Sequence, residues 1–234
     1  MTVFNLLKAP DFVSIINLLF GMAAIFFSLS GAFGIAAACL LISAAADGAD
    51  GYIARKTSGG PLGEHIDSLV DAVSFGVAPA VLIFCMSENI VSTIIVCIYV
   101  VCGILRLARY NAFPSKKPEY SGIPITGACV IIAVLTIFME NFSKAAVEIP
   151  YKIEILCAVM ILLSLLMIST IPYPKVMKKT TFIALILLFT GTIASVFVTG
   201  IYIAVLPGIL GILMLLYLLS PIPRLISKKN GVEL

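Results

Sequence analysis

Residues 47–71, DGADGYIARKTSGGPLGEHIDSLVD, decide the fold of this chain and hold most of its aspartates. The whole sequence contains five aspartates, and four of them lie in this stretch: Asp47, Asp50, Asp67 and Asp71. Between the two pairs of acids lies Gly59-Gly60-Pro61, which is typical of a turn that ends one helix and returns the chain. We therefore expect two antiparallel helices that bring four carboxylates together.

The spacing within the stretch supports this interpretation. Asp47, Gly51 and Arg55 recur at four-residue intervals, with Asp50 at the third position, so they project from one side of a helix end. Gly63 begins the same four-residue spacing for the two acids of the second helix. A glycine on the face that carries the acids leaves room for a bulky ligand to approach the backbone.

The surrounding sequence predicts an all-α, polytopic membrane helix bundle. Of 234 residues, 61% are hydrophobic and 12% are charged, whereas soluble domains carry roughly 25% charged residues. A span needs about 20 mostly apolar residues. Eight stretches meet this requirement: 11–30, 33–56, 63–87, 90–112, 122–140, 151–171, 179–199 and 201–221.

The distribution of lysine and arginine predicts the orientation of the bundle. If the eight spans alternate, 13 of the 15 basic residues fall on one side, and only Lys144 and Lys152 fall on the other. Basic residues are enriched in cytoplasmic connections. We therefore expect both termini and the acidic ends of the second and third spans to be cytoplasmic.

The acids predict a metal site. A carboxylate buried in a membrane costs about 2.5–3.5 kcal/mol on insertion scales, and Arg55 and Lys56 are too few to neutralise four of them. Clustered carboxylate oxygens suit one or two Mg²⁺ or Mn²⁺ ions, which usually complete their coordination with substrate phosphates. The competing interpretation, a cation transporter, is disfavoured because the acids lie at helix ends rather than at the midplane. The net charge of +3 is too small to indicate nucleic-acid binding.

The acidic stretch resembles the signature of the CDP-alcohol phosphatidyltransferase family. The matching pattern is Asp47-x2-Asp50-Gly51-x2-Ala54-Arg55-x7-Gly63-x3-Asp67-x3-Asp71. The resemblance implies an enzyme that transfers a phosphatidyl-type group from a CDP-activated lipid to a small alcohol and releases CMP. It also implies a homodimer and a six-helix core, here residues 1–175, followed by two additional transmembrane helices and a cytoplasmic tail in 176–234.

Roles for individual residues follow from the same resemblance. The four acids would bind two divalent cations that hold the pyrophosphate, and Asp71 would also be the general base. The nucleotide and phosphates would contact residues of the signature and of Pro10-Asp11-Phe12-Val13-Ser14, which resembles the family's entry to the nucleotide pocket. The expected nucleotide and phosphate contacts are Asp11, Ser14, Gly51, Ala54, Arg55, Gly60 and Gly63.

The acceptor is predicted from three further segments: 72–79, 105–111 and 121–127. All three resemble the phosphatidylserine synthase branch of the family, although Thr126 stands where the more familiar form has Pro. Arg106 and Arg109 are three residues apart on one helix end and could converge on the carboxylate of L-serine. A phosphate-bearing acceptor, glycerol 3-phosphate or an inositol phosphate, would use the same arginines, and ordinary contacts to lipid headgroups are the other alternative. The expected acceptor residues are Ser74, Arg106, Arg109 and Asn111.

Overall fold

The computed structural model describes residues 7–54, 62–87, 89–113, 119–147, 149–174, 179–198 and 204–221. These ranges are helical apart from turns and one short two-stranded ribbon. The helices are α1 (Ala9–Leu29), α2 (Phe33–Ala54), α3 (Gly63–Asp71), α4 (Ala78–Ser87), α5 (Ile90–Ala112), α6 (Ile125–Lys144), α7 (Lys152–Ile168), α8 (Lys179–Ser195) and α9 (Val205–Leu219). A π-helical segment, Ala72–Val77, joins α3 to α4 in one continuous rod.

The predicted helical membrane architecture is confirmed. Each predicted span overlaps a described helical segment, and residues 55–56, 199 and 201–203 of those spans lie outside the described residues. Four described segments are long and apolar enough to cross a membrane: Pro10–Leu29, Gly63–Ser87, Ile90–Ala112 and Ile125–Lys144. Helix α6 begins at Ile125 instead of residue 122. Gly122 has a positive φ of 78° and Pro124 disfavours a helical residue before it, so the helix cannot begin earlier.

Helix α6 lies at the centre of the bundle. It packs against α2, α7, α9 and the π-helical segment, while α1 packs against α2 and α4. The fully buried residues of α6 are small or β-branched, among them Ala128, Ile132, Ala133 and Ile137. The alanines among them allow neighbouring helices to approach closely.

Helix α5 has an exposed face and a buried face of different composition. Its exposed face is apolar and includes Ile94, Ile98, Val101 and Leu105, as expected where the surrounding solvent is lipid. Its buried face contains Ile95, Tyr99, Cys102 and Arg106. Arg106 therefore points into the bundle.

The π-helical segment follows directly after Asp71. A π turn leaves backbone groups displaced from their usual partners, and such turns are frequent at functional sites. Here the hydroxyl of the fully buried Tyr99 donates a hydrogen bond to the carbonyl of Phe75, 3.0 Å away. The segment is therefore held by a neighbouring helix as well as by its own hydrogen bonds.

A short antiparallel ribbon, which the sequence analysis did not predict, connects two distant loops. Its strands are β1 (Glu119–Ser121) and β2 (Pro172–Pro174). After β1, the backbone N–H of Gly122 donates to the carbonyl oxygen of Ile171 at 2.8 Å, and that of Ile123 donates to the carbonyl oxygen of Leu166 at 3.2 Å. The ribbon and these two bonds fix the start of α6 against the end of α7.

Candidate active site

Three aspartates from two helices converge at one point. Carboxylate oxygens of Asp47 on α2 and of Asp67 and Asp71 on α3 all lie within 4.8 Å of one another. Asp71 is buried, and the other two are partly buried. The backbone of Asp50 lies on α2 three residues after Asp47, but its side chain lies outside the described part of the structure. The structure thus brings together three of the four predicted ligands.

The donor set fits a divalent metal ion. All three groups are carboxylates, which are the ligands preferred by hard cations such as Mg²⁺ and Mn²⁺. Oδ1 of Asp71 is buried and receives no hydrogen bond from the residues that the structure describes, although Asp71 has other contacts. A buried carboxylate oxygen that accepts no hydrogen bond is costly, and a divalent cation would compensate its charge.

The beginning of α1 lies beside the beginning of α3. Oδ2 of Asp11 accepts a hydrogen bond of 2.7 Å from the backbone N–H of Lys8, and Asp11 is buried. Oδ1 of the same residue lies 3.2 Å from the point where a Cβ on Gly63 would be, so a larger residue would crowd it. Ser14, one turn along α1, donates to the carbonyl of Pro10 at 3.4 Å. Three predicted nucleotide contacts are therefore close together.

The remaining predicted nucleotide contacts are described less fully. The backbones of Gly51 and Ala54 form the last turn of α2, a few residues after Asp47. Arg55 and Gly60 lie outside the described residues.

A polar layer lies one helical turn deeper in the bundle than the acids. Ser43 precedes Asp47 by four residues on α2, and Ser74 follows Asp71 by three. Both hydroxyls donate to Asn17 of α1: Ser43 to its side-chain oxygen and Ser74 to its backbone carbonyl at 3.4 Å. Ser74, a predicted acceptor contact, is thus fully buried below the acids. Asn17 and Ser43 were not predicted from the sequence, where their signal was their polarity within apolar spans.

Arg109 makes an extensive set of backbone contacts. Its guanidinium donates to the carbonyl oxygens of Ile168 at 2.9 Å, Ser121 at 2.6 Å and Met167 at 3.1 Å. Carbonyls at the C-terminal end of a helix lack partners within the helix, and a cation there is favourable. Arg109 therefore joins the ends of α5 and α7 to the ribbon that precedes α6.

The two other predicted acceptor residues on α5, Arg106 and Asn111, have different surroundings. Arg106 is buried, 7% exposed, with its guanidinium carbon 5.7 Å from the ring centre of Tyr110. Such burial argues against simple contact with lipid headgroups. Asn111 donates from Nδ2 to the hydroxyl of Ser68 at 2.9 Å, which links the end of α5 to α3 between Asp67 and Asp71.

Thr126 is a contact of the acidic cluster that the sequence analysis did not place there. Its hydroxyl donates to Oδ2 of Asp47 at 3.1 Å, across 79 positions of sequence. The only signal in the sequence was the presence of Thr where the resembling segments have Pro. The meeting of α2 with the start of α6 could not be derived from local spacing.

Comparisons with known proteins identify relatives of this chain. The archaetidylserine synthase of Methanothermobacter thermautotrophicus is 35% identical over 179 residues, which cover 74% of this chain and 72% of the relative. A CDP-diacylglycerol–serine O-phosphatidyltransferase of Methanocaldococcus jannaschii is 35% identical over 177 residues, 75% and 78% of the two chains. That of Helicobacter pylori is 31% identical over 198 residues, 81% of each. The sequence model for CDP-alcohol phosphatidyltransferases matches residues 7–219, more than half of the sequence, and the chain belongs to this family.

Proposed function

We propose that this protein transfers a phosphatidyl-type group from a CDP-activated diradylglycerol lipid to the hydroxyl of L-serine and releases CMP. The observation that carries the proposal is the convergence of Asp47, Asp67 and Asp71 within 4.8 Å in a chain of this family. The names of the three relatives, which all specify a serine product or acceptor, support serine over other alcohols. Those names include both an archaeal-type and a diacylglycerol lipid, so the proposal covers ether- and ester-linked donors.

The reaction is a direct displacement at phosphorus. The serine oxygen forms a bond to the phosphorus that bears the lipid, the bond from that phosphorus to the CMP oxygen breaks, and CMP leaves with the bonding electrons. The serine hydroxyl proton goes to a carboxylate of the site. Asp71 fits the role of general base because it is a buried carboxylate that lies within 4.8 Å of the other two acids.

The other acids complete a site for divalent metal. The family is generally dependent on such metals, and we propose two Mg²⁺ or Mn²⁺ ions held by Asp47, Asp50, Asp67 and Asp71. When bound, the ions would neutralise the charge of the pyrophosphate and of the departing CMP. Asp47 approaches from α2 and the other described acids from α3, so the relative position of these two helices determines the shape of the site.

The donor nucleotide lies, in this proposal, between the beginning of α1 and the acidic helices. Asp11, Ser14 and Gly63 border this space, and Gly51 and Ala54 continue it along α2. The close approach of Asp11 to Gly63 supports the arrangement, because a side chain at position 63 would fill the gap. Arg55 and Gly60 have the same proposed role as nucleotide and phosphate contacts, on the strength of the sequence pattern.

The acceptor carboxylate is assigned to the end of α5. Arg106 is a buried cation on the inner face of this helix, and a guanidinium can bind a carboxylate through two parallel hydrogen bonds. Arg109 donates to three carbonyls and would contribute mainly by holding the surrounding loops. Asn111 and Ser74 would complete the acceptor region near Asp71. Asn111 is bonded to α3, and Ser74 lies one helical turn deeper in the bundle than Asp71.

The protein is a membrane protein, and its orientation is part of the proposal. The excess of basic residues in one set of connections supports cytoplasmic termini and a cytoplasmic active site. Membership of the family supports a homodimer. The division into a core of residues 1–175 and a two-helix extension also remains a proposal, and the family match continues through α8 and α9.

An acceptor screen tests the function directly. Purified protein in detergent is given CDP-diacylglycerol or its ether analogue with Mg²⁺ or Mn²⁺, and serine, glycerol 3-phosphate, inositol phosphate or inositol is added. We expect CMP release and a serine lipid, identified by mass spectrometry, in the serine reaction alone. A glycerol or inositol phospholipid as the main product would refute serine as the acceptor while leaving the family chemistry intact.

A further inference from the structure

The hydrogen bond from Thr126 to Asp47 joins the acidic cluster to the central helix of the bundle. Thr126 lies in the first turn of α6, and Asp47 lies near the end of α2. The donor is a neutral hydroxyl, so it orients the carboxylate without neutralising its charge. Only one oxygen, Oδ2, is involved in this bond, and a carboxylate has further lone pairs for a cation.

The segment that carries Thr126 is held in place by buried neighbours and a backbone hydrogen bond. Its neighbours Ile125, Ala128 and Cys129 are fully buried, and the preceding Ile123 donates its N–H to the end of α7. A threonine inside a helix often donates to the carbonyl four residues before it. In the first turn of α6 that residue is Gly122, which precedes the helix, so the hydroxyl is directed instead to another helix.

We propose that Thr126 is a positioning residue that fixes the orientation of the Asp47 carboxylate for metal binding. The inference rests on the proposed metal site and goes beyond the ligands themselves. Without the hydroxyl, the Asp47 carboxylate would lose one of the contacts that restrict rotation about its last torsion, and an ion would have to restrict that rotation further on binding. Outer-shell partners of metal ligands typically change metal affinity by about 10–100-fold. A single neutral donor at 3.1 Å predicts an effect at the lower end of that range.

Two substitutions and one matched control test the proposal. Thr126→Val keeps the size of the side chain and removes the hydroxyl, whereas Thr126→Ser keeps the hydroxyl. Thr136→Val is the control, because Thr136 is a buried threonine of the same helix whose hydroxyl donates to the carbonyl of Ile132 and not to the acids. All four proteins are compared for Mn²⁺ binding by electron paramagnetic resonance of the free ion, with Mn²⁺ alone and no lipid or serine.

We expect Thr126→Val to weaken Mn²⁺ binding roughly tenfold and to raise the Mn²⁺ concentration for half-maximal CMP release by a similar factor. Thr126→Ser should bind within about twofold of wild type, and Thr136→Val should bind as wild type even if it is less stable. Wild-type affinity in Thr126→Val, or equal weakening in the control, would overturn the proposal. If Thr126→Val does not fold, Thr126→Ala gives the same comparison. Because the binding readout needs no acceptor, failure of the serine assignment would leave this result unchanged.

Discussion

Gly122 is the residue at which a single methyl group should disturb both the fold and the site. Its φ is +78°, a conformation that favours glycine, and it lies between the ribbon and the start of α6. A Cβ at this position would lie 2.6 Å from the carbonyl oxygen of Met167, 2.8 Å from that of Leu166 and 2.9 Å from that of Ser169. These are backbone atoms, so no side-chain rotation can relieve the contact.

The cost of Gly122→Ala has two parts. Placing alanine in the left-handed region costs about 1–2 kcal/mol. Relieving the three contacts requires the loop to move away from α7, which weakens the hydrogen bonds to Ile171 and Leu166, each worth about 0.5–1.5 kcal/mol. We therefore expect a total loss of about 2–5 kcal/mol, equivalent to a fall in Tm of roughly 4–20 °C for a chain of this size.

Thermal unfolding in detergent measures the effect, with scan rate held constant because unfolding of such proteins is often irreversible. Gly31→Ala is the matched control: Gly31 has φ +77° after α1, and a Cβ there would meet nothing within 4 Å. Gly31→Ala should show only the backbone cost, with Tm falling by about 2–4 °C for each kcal/mol of stability lost. Equal falls in Tm for the two variants would refute the conclusion that carbonyl crowding makes Gly122 necessary.

Three further predictions concern catalysis. Excess EDTA should abolish CMP release and added Mg²⁺ or Mn²⁺ should restore it, so full turnover in EDTA would contradict the metal site. Asp71→Asn should abolish transfer while CDP-lipid binding persists, because the remaining acids still hold metal; equal loss of both would make Asp71 chiefly a ligand. Arg106→Ala should raise the serine KM about ten- to a hundredfold with little change in CDP-lipid binding, whereas Arg109→Ala should mainly lower Tm. If instead Arg106→Ala mainly lowered Tm and Arg109→Ala raised the serine KM, the roles of the two arginines would be exchanged.

The acidic site could be predicted from sequence because its main parts are local. Asp47 lies on one helix and Asp67 and Asp71 lie on the next helix along the chain, and four-residue spacing places the acids of each helix on one face. The same reasoning located the spans, since lipid requires long apolar segments and punctuation sets their ends. Family resemblance then supplied the chemistry that the spacing could not.

The assignment of Arg109 illustrates where sequence reasoning ends. Its spacing from Arg106 predicts that both guanidinium groups converge on one ligand, and this stays a prediction. The structure adds that Arg106 is buried and that Arg109 donates to three backbone carbonyls. Helical periodicity predicts which face a residue occupies and not which loop lies opposite that face. The loop at Ser121 and the end of α7 meet Arg109 only through the packing of distant segments.

The sequence by itself determined the helical membrane architecture and the clustering of Asp47, Asp67 and Asp71, because both depend on short-range spacing and on the energetic cost of polar groups in lipid. Tertiary structure alone decided that Thr126 reaches Asp47, that Asn17 joins the helices below the acids, and that Gly122 must lie against the carbonyls of α7. Each of these contacts joins residues 26 or more positions apart. Their existence depends on how whole helices pack, and no local pattern of residues encodes that packing.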